Sequence, residues 1–259
     1  FEMLCEGEKL AKEMGANLTA VLLGFDIDEF VGKLSNHAAR VLVVKDERLK
    51  EPNLEAYQKV LSRLIAENKP VLVIVGHTAF GLEVAPSLAT ELNIPLVTDC
   101  IGLEFKDGVL TTTRQIYGGK VNAKVWFSES ETYMVTIRPA AFPAEEREPM
   151  KGAVTIIPSP LSEDIAYKQF IQYVEEAVKV DITKADVLVA VGRGVGDVKN
   201  ISIIEELAQA MGGIVACSRP IVDKKWLPKD RHVGTSGKTV KPKLYLAMGI
   251  SGAFQHVSG

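Results

Sequence analysis

The sequence lacks most of the features that would place it in a special class. Three of its 259 residues are cysteine, Cys5, Cys100 and Cys217. They are far apart, odd in number and form no CxxC pair, which excludes a disulfide scaffold and argues against structural zinc. Reduced thiols in an intracellular protein are the simplest reading: cytoplasmic in a bacterium or archaeon, mitochondrial matrix in a eukaryote. Long apolar runs are missing too. Val71 to Val75 is among the longest, far below the roughly 20 residues that span a bilayer. There is no surplus of one charge, with 30 basic against 33 acidic residues and a net charge of −3. That gives no general pull toward nucleic acid or an anionic membrane. The four histidines, His37, His77, His232 and His256, are not spaced as a metal site. No internal repeat or low-complexity segment is evident, and globular-average composition excludes disorder.

What is present is an alternation of strand and helix signals. Apolar runs at Leu18 to Leu23, Val41 to Val44 and Val71 to Val75 are separated by helical patterns. Asn53 is placed to cap a helix carrying Leu54, Tyr57, Leu61 and Leu64. Ala79 to Leu92 reads as a further helix and Pro95 to Asp99 as a strand. Continuous apolar strands between helices indicate a parallel sheet covered on both faces. From Leu103 to Arg138 the pattern is β-rich without a helix, with a hairpin signal at Asp107-Gly108. This predicts an antiparallel addition to one mixed sheet. Glu145, Glu146 and Glu148 read as a solvated connection. Tyr167, Phe170, Ile171, Val174 and Val178 form a helical stripe.

A second α/β unit begins near Asp186, which places a domain boundary at Val180 to Asp181, giving domains 1–180 and 181–259. Ser202 and Glu205 have capping-box spacing before a helix that Gly212-Gly213 stops. The sequence opens at Phe1 inside a helical pattern and stops at Gly259 where a helix should start. The expectation is one more strand upstream and a further αβ unit downstream in the intact gene.

Cationic, hydroxyl and glycine positions crowd the stretch from Cys217 onward, around a strand at Pro242 to Gly249. A strand ending in a Gly/Ser turn offers backbone N–H groups to an anion, which points to a phosphate-bearing ligand. Gly192 to Asp197 (GRGVGD) sits between strand and helix, as a dinucleotide loop does. Asp197 takes the place of the third glycine, however, and its charge opposes pyrophosphate there. A tight βα turn and a ligand loop of another kind both remain open, with Arg193 favouring the second. His232 to Thr239 ends like a P-loop but has His232 where the first glycine belongs, so an NTPase is rejected. Ser251 and His256 allow a hydrolase reading, although Ala253 replaces the second glycine of GxSxG.

Four ordered motifs, GRG, SRP-x-VD-x-x-WLP, VG-x-SGKTV-x-PKLY and GISGA-x-QH, resemble the α subunit of electron transfer flavoproteins. LTAVLLG, TAFGLEVAPSLA and TIRPAAF extend the likeness over the whole chain. The resemblance implies two Rossmann-like, doubly wound α/β domains, the first adenine-nucleotide-hydrolase-like and engaged in subunit pairing. It implies FAD in the second domain, a heterodimer with a β subunit, and electron shuttling between dehydrogenases and an acceptor oxidoreductase. On matching positions, Arg193 and Ser218 would contact FAD, and Arg219 would lie against the isoalloxazine ring. Val233, Gly234, Thr235 and Ser236 would form the loop whose hydroxyl bonds flavin N5. Ser251, Gly252, Ala253, Phe254, Gln255 and His256 would line the diphosphate and the pyrimidine end, His256 near the C2 carbonyl. Many relatives carry Gln-Thr where this chain has Thr235-Ser236, which keeps the hydroxyl. The competing readings are a hydrolase or transferase using Ser251 and His256, and a docking module without flavin.

Overall fold

The computed structural model describes residues 1–144, 149–161, 170–172 and 180–259. Contacts divide the chain into two compact units, Phe1–Gln172 and Tyr173–Gly259. The acidic run at 145–148 lies outside the described residues, as do Tyr167, Val174 and Val178 of the helical stripe. Phe170 and Ile171 of that stripe are exposed.

In the first unit, helix α1 (Glu2–Glu13) buries Cys5, Gly7 and Leu10. Strand β1 (Thr19–Gly24), α2 (Asp28–Ser35), β2 (Arg40–Lys45), α3 (Leu54–Asn68), β3 (Leu72–Gly76) and α4 (Ala79–Leu92) follow in alternation. The caps form where the sequence places polar side chains. The Asn53 side chain accepts from the N–H groups of Glu55 and Ala56, and Thr78 from that of Gly81. Each such cap stabilises its helix by about 1 kcal/mol.

Next come β4 (Leu96–Lys106), β5 (Val109–Ile116), β6 (Val121–Trp126), β7 (Tyr133–Ile137) and β8 (Ala153–Ile156). The β4–β5 hairpin turns on Asp107 and Gly108, at φ of +52° and +81°, a left-handed pair that glycine and aspartate tolerate. Two expectations are corrected here. The strands are shared between two sheets, a parallel β1-β2-β8 and a mixed β3-β7-β4-β5-β6. β7 is not part of the antiparallel addition; it lies between β3 and β4, parallel to both. The reason is its burial. Met134 to Ile137 are all buried, and a strand buried on both sides needs the covered centre of a parallel arrangement. The edge strand β6 instead alternates toward solvent and leaves Trp126 70% exposed.

A polar cluster ties the ends of β3, β7 and β4 together. Asp99 sits at a left-handed φ of +60°, beside a break in strand register. Arg138 holds the Asp99 carboxylate through two bonds of 2.8 and 2.6 Å, and the Asp99 N–H donates to Thr136 Oγ1 at 2.9 Å. His77 Nδ1 meets the same hydroxyl at 2.8 Å, so His77 is a satisfied interior histidine. Burial pulls its pKa below the ordinary value, against the opposing charge of Asp99.

The second unit is smaller. Strand β9 (Val187–Val191), α5 (Ile201–Ala210), β10 (Ile214–Cys217), α6 (Arg219–Asp223), β11 (Leu244–Met248) and α7 (Phe254–Val257) run in that order. The parallel sheet has order β10-β9-β11. Alternate residues of β9 feed opposite faces. Val189 and Val191 pack with Ile201, Ile204 and Ile221, while Leu188 and Ala190 pack with Ile182 and Val233. Burying each valine, leucine or isoleucine among them stabilises the unit by roughly 1.5–3 kcal/mol. The anticipated Ser202–Glu205 capping box does not form. α5 begins at Ile201, and the Ser202 hydroxyl bonds the Lys199 carbonyl of the preceding 3-10 turn.

Candidate functional site

The motif residues gather beyond the carboxyl ends of the three parallel strands of the second unit, where open α/β sheets hold ligands. β9 delivers Gly192, Arg193 and Gly194; β10 delivers Ser218 and Arg219; β11 delivers the turn from Gly249 to His256. The loop from Val233 is drawn in because the Val233 N–H bonds the Cys217 carbonyl at 2.9 Å.

The glycines of GRGVGD answer to chain packing. A Cβ on Gly192 or Gly194 would lie 2.5 or 2.8 Å from the Gly249 carbonyl oxygen. The two N–H groups donate to Met248 and Gly249 carbonyls, each at 2.8 Å. Asp197 caps the following 3-10 turn by accepting from the Lys199 N–H. The likeness to a dinucleotide fingerprint is therefore a close approach of two strand ends. Arg193, between the glycines, is exposed.

Ser218 is 7% exposed and directly precedes α6, yet its hydroxyl caps nothing in that helix. Pro220 follows at the start of α6, where its fixed φ and missing N–H cost nothing. Arg219 keeps its side chain 68% exposed, with Nε 3.7 Å from the equally exposed carboxylate of Asp223. A pair this open is worth between nothing and about 1 kcal/mol, so the guanidinium is readily recruited by a ligand.

The loop and the turn are stitched together. Val233 turns its side chain into the core at 2% exposure and serves the site through its backbone. Gly234 has φ of +143°, and a Cβ there would stand 2.6 Å from the Gln255 carbonyl oxygen. The Thr235 N–H donates to that same oxygen at 2.7 Å. Thr235 and Ser236 are exposed, so their hydroxyls face outward. Ser251, Gly252, Ala253 and Gln255 are exposed, while Phe254 and His256 are half-buried.

His256 Nε2 lies 2.7 Å from the Tyr245 hydroxyl, and Nδ1 lies 3.0 Å from the Val233 carbonyl oxygen. Burial lowers its pKa, with the Val233 carbonyl acting the other way. Among the described residues no bond joins Ser251 to His256. The imidazole nitrogen that a serine nucleophile would need is occupied by Tyr245, so the hydrolase reading has no support. Buried His232 is held toward its neutral form mainly by burial, then by His256 and Arg219. The Cys217 thiol is pushed up to about 12 by burial, which makes it inert.

Two features were present in the motifs without an assigned role. Tyr245 closes the PKLY motif but was given no part in the site; the signal was that a half-buried tyrosine hydroxyl needs a partner. A cavity of about 840 Å³ lies beside the loop, lined by Lys225, Trp226, Pro228, Ser236, Gly237 and Lys238 among others. Among the described residues there is no His/Cys/Asp/Glu cluster able to hold a metal ion, and no helix long and apolar enough to cross a membrane.

Parallel strand ends that converge on two exposed arginines, a serine that caps no helix and a glycine turn define a nucleotide-cofactor-holding α/β unit. Comparison with known proteins makes the class particular. The electron transfer flavoprotein domain matches residues 1–162, and the electron transfer flavoprotein FAD-binding domain matches residues 181–259. Protein FixB of Clostridium saccharobutylicum is 38% identical over all of this chain and 78% of its own length. The electron transfer flavoprotein subunit alpha of Thermoanaerobacterium thermosaccharolyticum is 36% identical over all of this chain and 80% of its own. The acryloyl-CoA reductase electron transfer subunit beta of Anaerotignum propionicum is 35% identical, again over the whole chain and 79% of its own length. The chain belongs to the electron transfer flavoprotein family, as an alpha-type subunit. It is a redox carrier with an FAD-binding domain rather than a catalytic enzyme.

Proposed function

We propose that Arg193, Ser218, Arg219, the loop Val233, Gly234, Thr235 and Ser236, and the turn Ser251, Gly252, Ala253, Phe254, Gln255 and His256 hold FAD. The carrying observation is that three strand ends bring the exposed Arg193, the pair Ser218 and Arg219, and the turn 249–256 to one edge of the sheet. Gly252 supports the fit. At φ of +72° it has nothing within 4 Å of a would-be Cβ, so its backbone is open to close approach by a diphosphate. When bound, the flavin supplies the electron chemistry, and reduction places negative charge on its N1–C2=O side.

The chain's own residues do the rest. Arg219 cannot lose its proton and is planar, so it can both stack on a ring and hold positive charge there. An exposed hydroxyl at Thr235 or Ser236 can donate to or accept from a ring nitrogen. Backbone N–H groups of the turn 251–253 can serve the phosphate end, whereas that of His256 is spent on the Ala253 carbonyl. Paired with its beta subunit, the protein passes electrons from dehydrogenases to an acceptor oxidoreductase. One relative is an acryloyl-CoA reductase electron transfer subunit, which makes a CoA-thioester reductase one class of partner to test. Three free, buried cysteines support a reducing compartment, the cytoplasm of a bacterium or archaeon or the mitochondrial matrix of a eukaryote.

Co-expression with the beta subunit should yield a yellow heterodimer whose visible spectrum bleaches on reduction by a dehydrogenase and returns on addition of an acceptor. A colourless complex that hydrolyses esters would overturn this reading.

A further inference from the structure

We propose that Tyr245 is a positioning residue for the cofactor site: its hydroxyl fixes His256 as the neutral tautomer protonated at Nδ1, and so clasps the turn 249–257 to the loop 233–237. The proposal rests on the FAD reading above for its functional consequence, and on hydrogen-bond chemistry for the clasp itself.

A carbonyl oxygen can only accept, so the 3.0 Å contact with Val233 requires the proton on His256 Nδ1. The neutral ring then carries a lone pair on Nε2, and the Tyr245 O–H donates to it at 2.7 Å. Both groups are kept neutral by their surroundings. Burial raises the Tyr245 pKa and lowers that of His256.

Tyr245 is well placed to act as the fixed end. It pairs with Leu188 in the register of β11 on β9 and packs on the cluster of Ile182, Leu188, Ala190, Ala216 and Val233. The chain of contacts therefore runs from the sheet, through one imidazole, to the first carbonyl of the loop. The Thr235–Gln255 backbone bond closes the same seam two residues further on. A neutral His256 in this arrangement has no N–H left to donate. Held in this way, the imidazole sets the spacing between turn and loop.

The test uses the heterodimer labelled with [15N]histidine, with and without flavin. The His256 imidazole should show the Nδ1–H tautomer signature in both states. Tyr245→Phe should abolish that fixed signature and raise the FAD dissociation rate roughly tenfold, the effect of one lost hydrogen bond. His256→Asn, which keeps an amide donor near the Nδ1 position, should recover part of the retention that His256→Ala loses. An Nε2–H tautomer in the wild type would overturn the clasp. So would an unchanged FAD dissociation rate in Tyr245→Phe, whatever the tautomer does. If the wild-type heterodimer binds no flavin, the FAD reading fails while the tautomer signature still decides the clasp.

Discussion

Gly234→Ala is the sharpest probe of the seam between loop and turn. The added Cβ would meet the Gln255 carbonyl oxygen at 2.6 Å, and the neighbouring Gln255 carbon and His232 Nε2 at 3.5 Å. The first contact is backbone, so no side-chain rotation relieves it. The φ of +143° is also one that residues with a Cβ rarely adopt, a strain of about 1–3 kcal/mol. Relief by moving the loop breaks the Thr235–Gln255 bond, and relief by moving the turn stretches the His256–Val233 bond. Either loss adds about 0.5–1.5 kcal/mol.

The total is roughly 2–4 kcal/mol, the strain and one lost bond taken together. In a unit of this size each kcal/mol moves Tm by about 4–8 °C, so a melt should fall by at least about 8 °C. Gly252→Ala is the matched control. It also sits at positive φ, +72°, but its Cβ would meet nothing within 4 Å. It should lose only about 1–2 kcal/mol of stability from the left-handed backbone. FAD affinity separates the two further. Gly234→Ala weakens binding because the seam opens, whereas Gly252→Ala weakens it more than its small Tm change accounts for, because the diphosphate approaches that backbone. Calorimetry of the apoprotein with a fluorescence titration of FAD reads both. Equal Tm losses for the two variants would refute the argument that the Gln255 contact closes the site.

Other outcomes follow from the same contacts. Arg219→Ala, loosely paired and mostly exposed, should leave stability within about 0.5 kcal/mol yet lower the flavin potential, by roughly 59 mV for each 1.4 kcal/mol of lost one-electron stabilisation. Arg219→Lys should recover part, and unchanged potentials in a spectroelectrochemical titration would place the arginine off the ring. Arg138→Met strips the half-buried Asp99 carboxylate of its bidentate partner; discounting the buried-pair range for partial exposure, urea denaturation should show a loss of about 2–4 kcal/mol. The Arg48 guanidinium beside Asp46 holds that carboxyl well below the usual carboxylate range. Its stabilisation is complete above the unfolded value of about 3.9 and is lost as pH falls below it. Asp46→Asn should therefore lower Tm at neutral pH and flatten its fall between about pH 4 and 2; a parallel acid limb would show the pair to be silent.

Much of the architecture was legible because local chemistry and tertiary demand agree. Asn53 caps the helix that follows it, and Asp107-Gly108 turns the hairpin, since each needs only its own neighbours. β7 was not legible as a central strand. Its apolar run suits either a half-buried or a fully buried strand, and only long-range pairing with β3 and β4 decides. Ser202 failed as a capping box for a related reason. Its hydroxyl had a second acceptor, the Lys199 carbonyl, supplied by a 3-10 turn that the spacing does not announce.

The site shows the same division at closer range. Arginine, serine and glycine at strand ends point to a phosphate-bearing ligand, and the structure does gather them at one edge of the sheet. Residue type alone, however, does not say which glycine serves the ligand and which serves the fold. Gly192 and Gly194 lie against the Gly249 carbonyl, and Gly234 against that of Gln255; Gly252 has open space before it. Three of these four are used up by chain packing, which leaves Gly252 as the position where the absence of a side chain can admit a ligand. Histidine obeys the same logic. His256 sits in the motif where a ligand contact is expected, yet both of its nitrogens are spent on Tyr245 and Val233. Arg193 and Arg219 are exposed, the second only loosely paired with Asp223, and Thr235 and Ser236 are exposed as well, so substitution at these positions should reach the cofactor without disturbing the seam that holds loop and turn together.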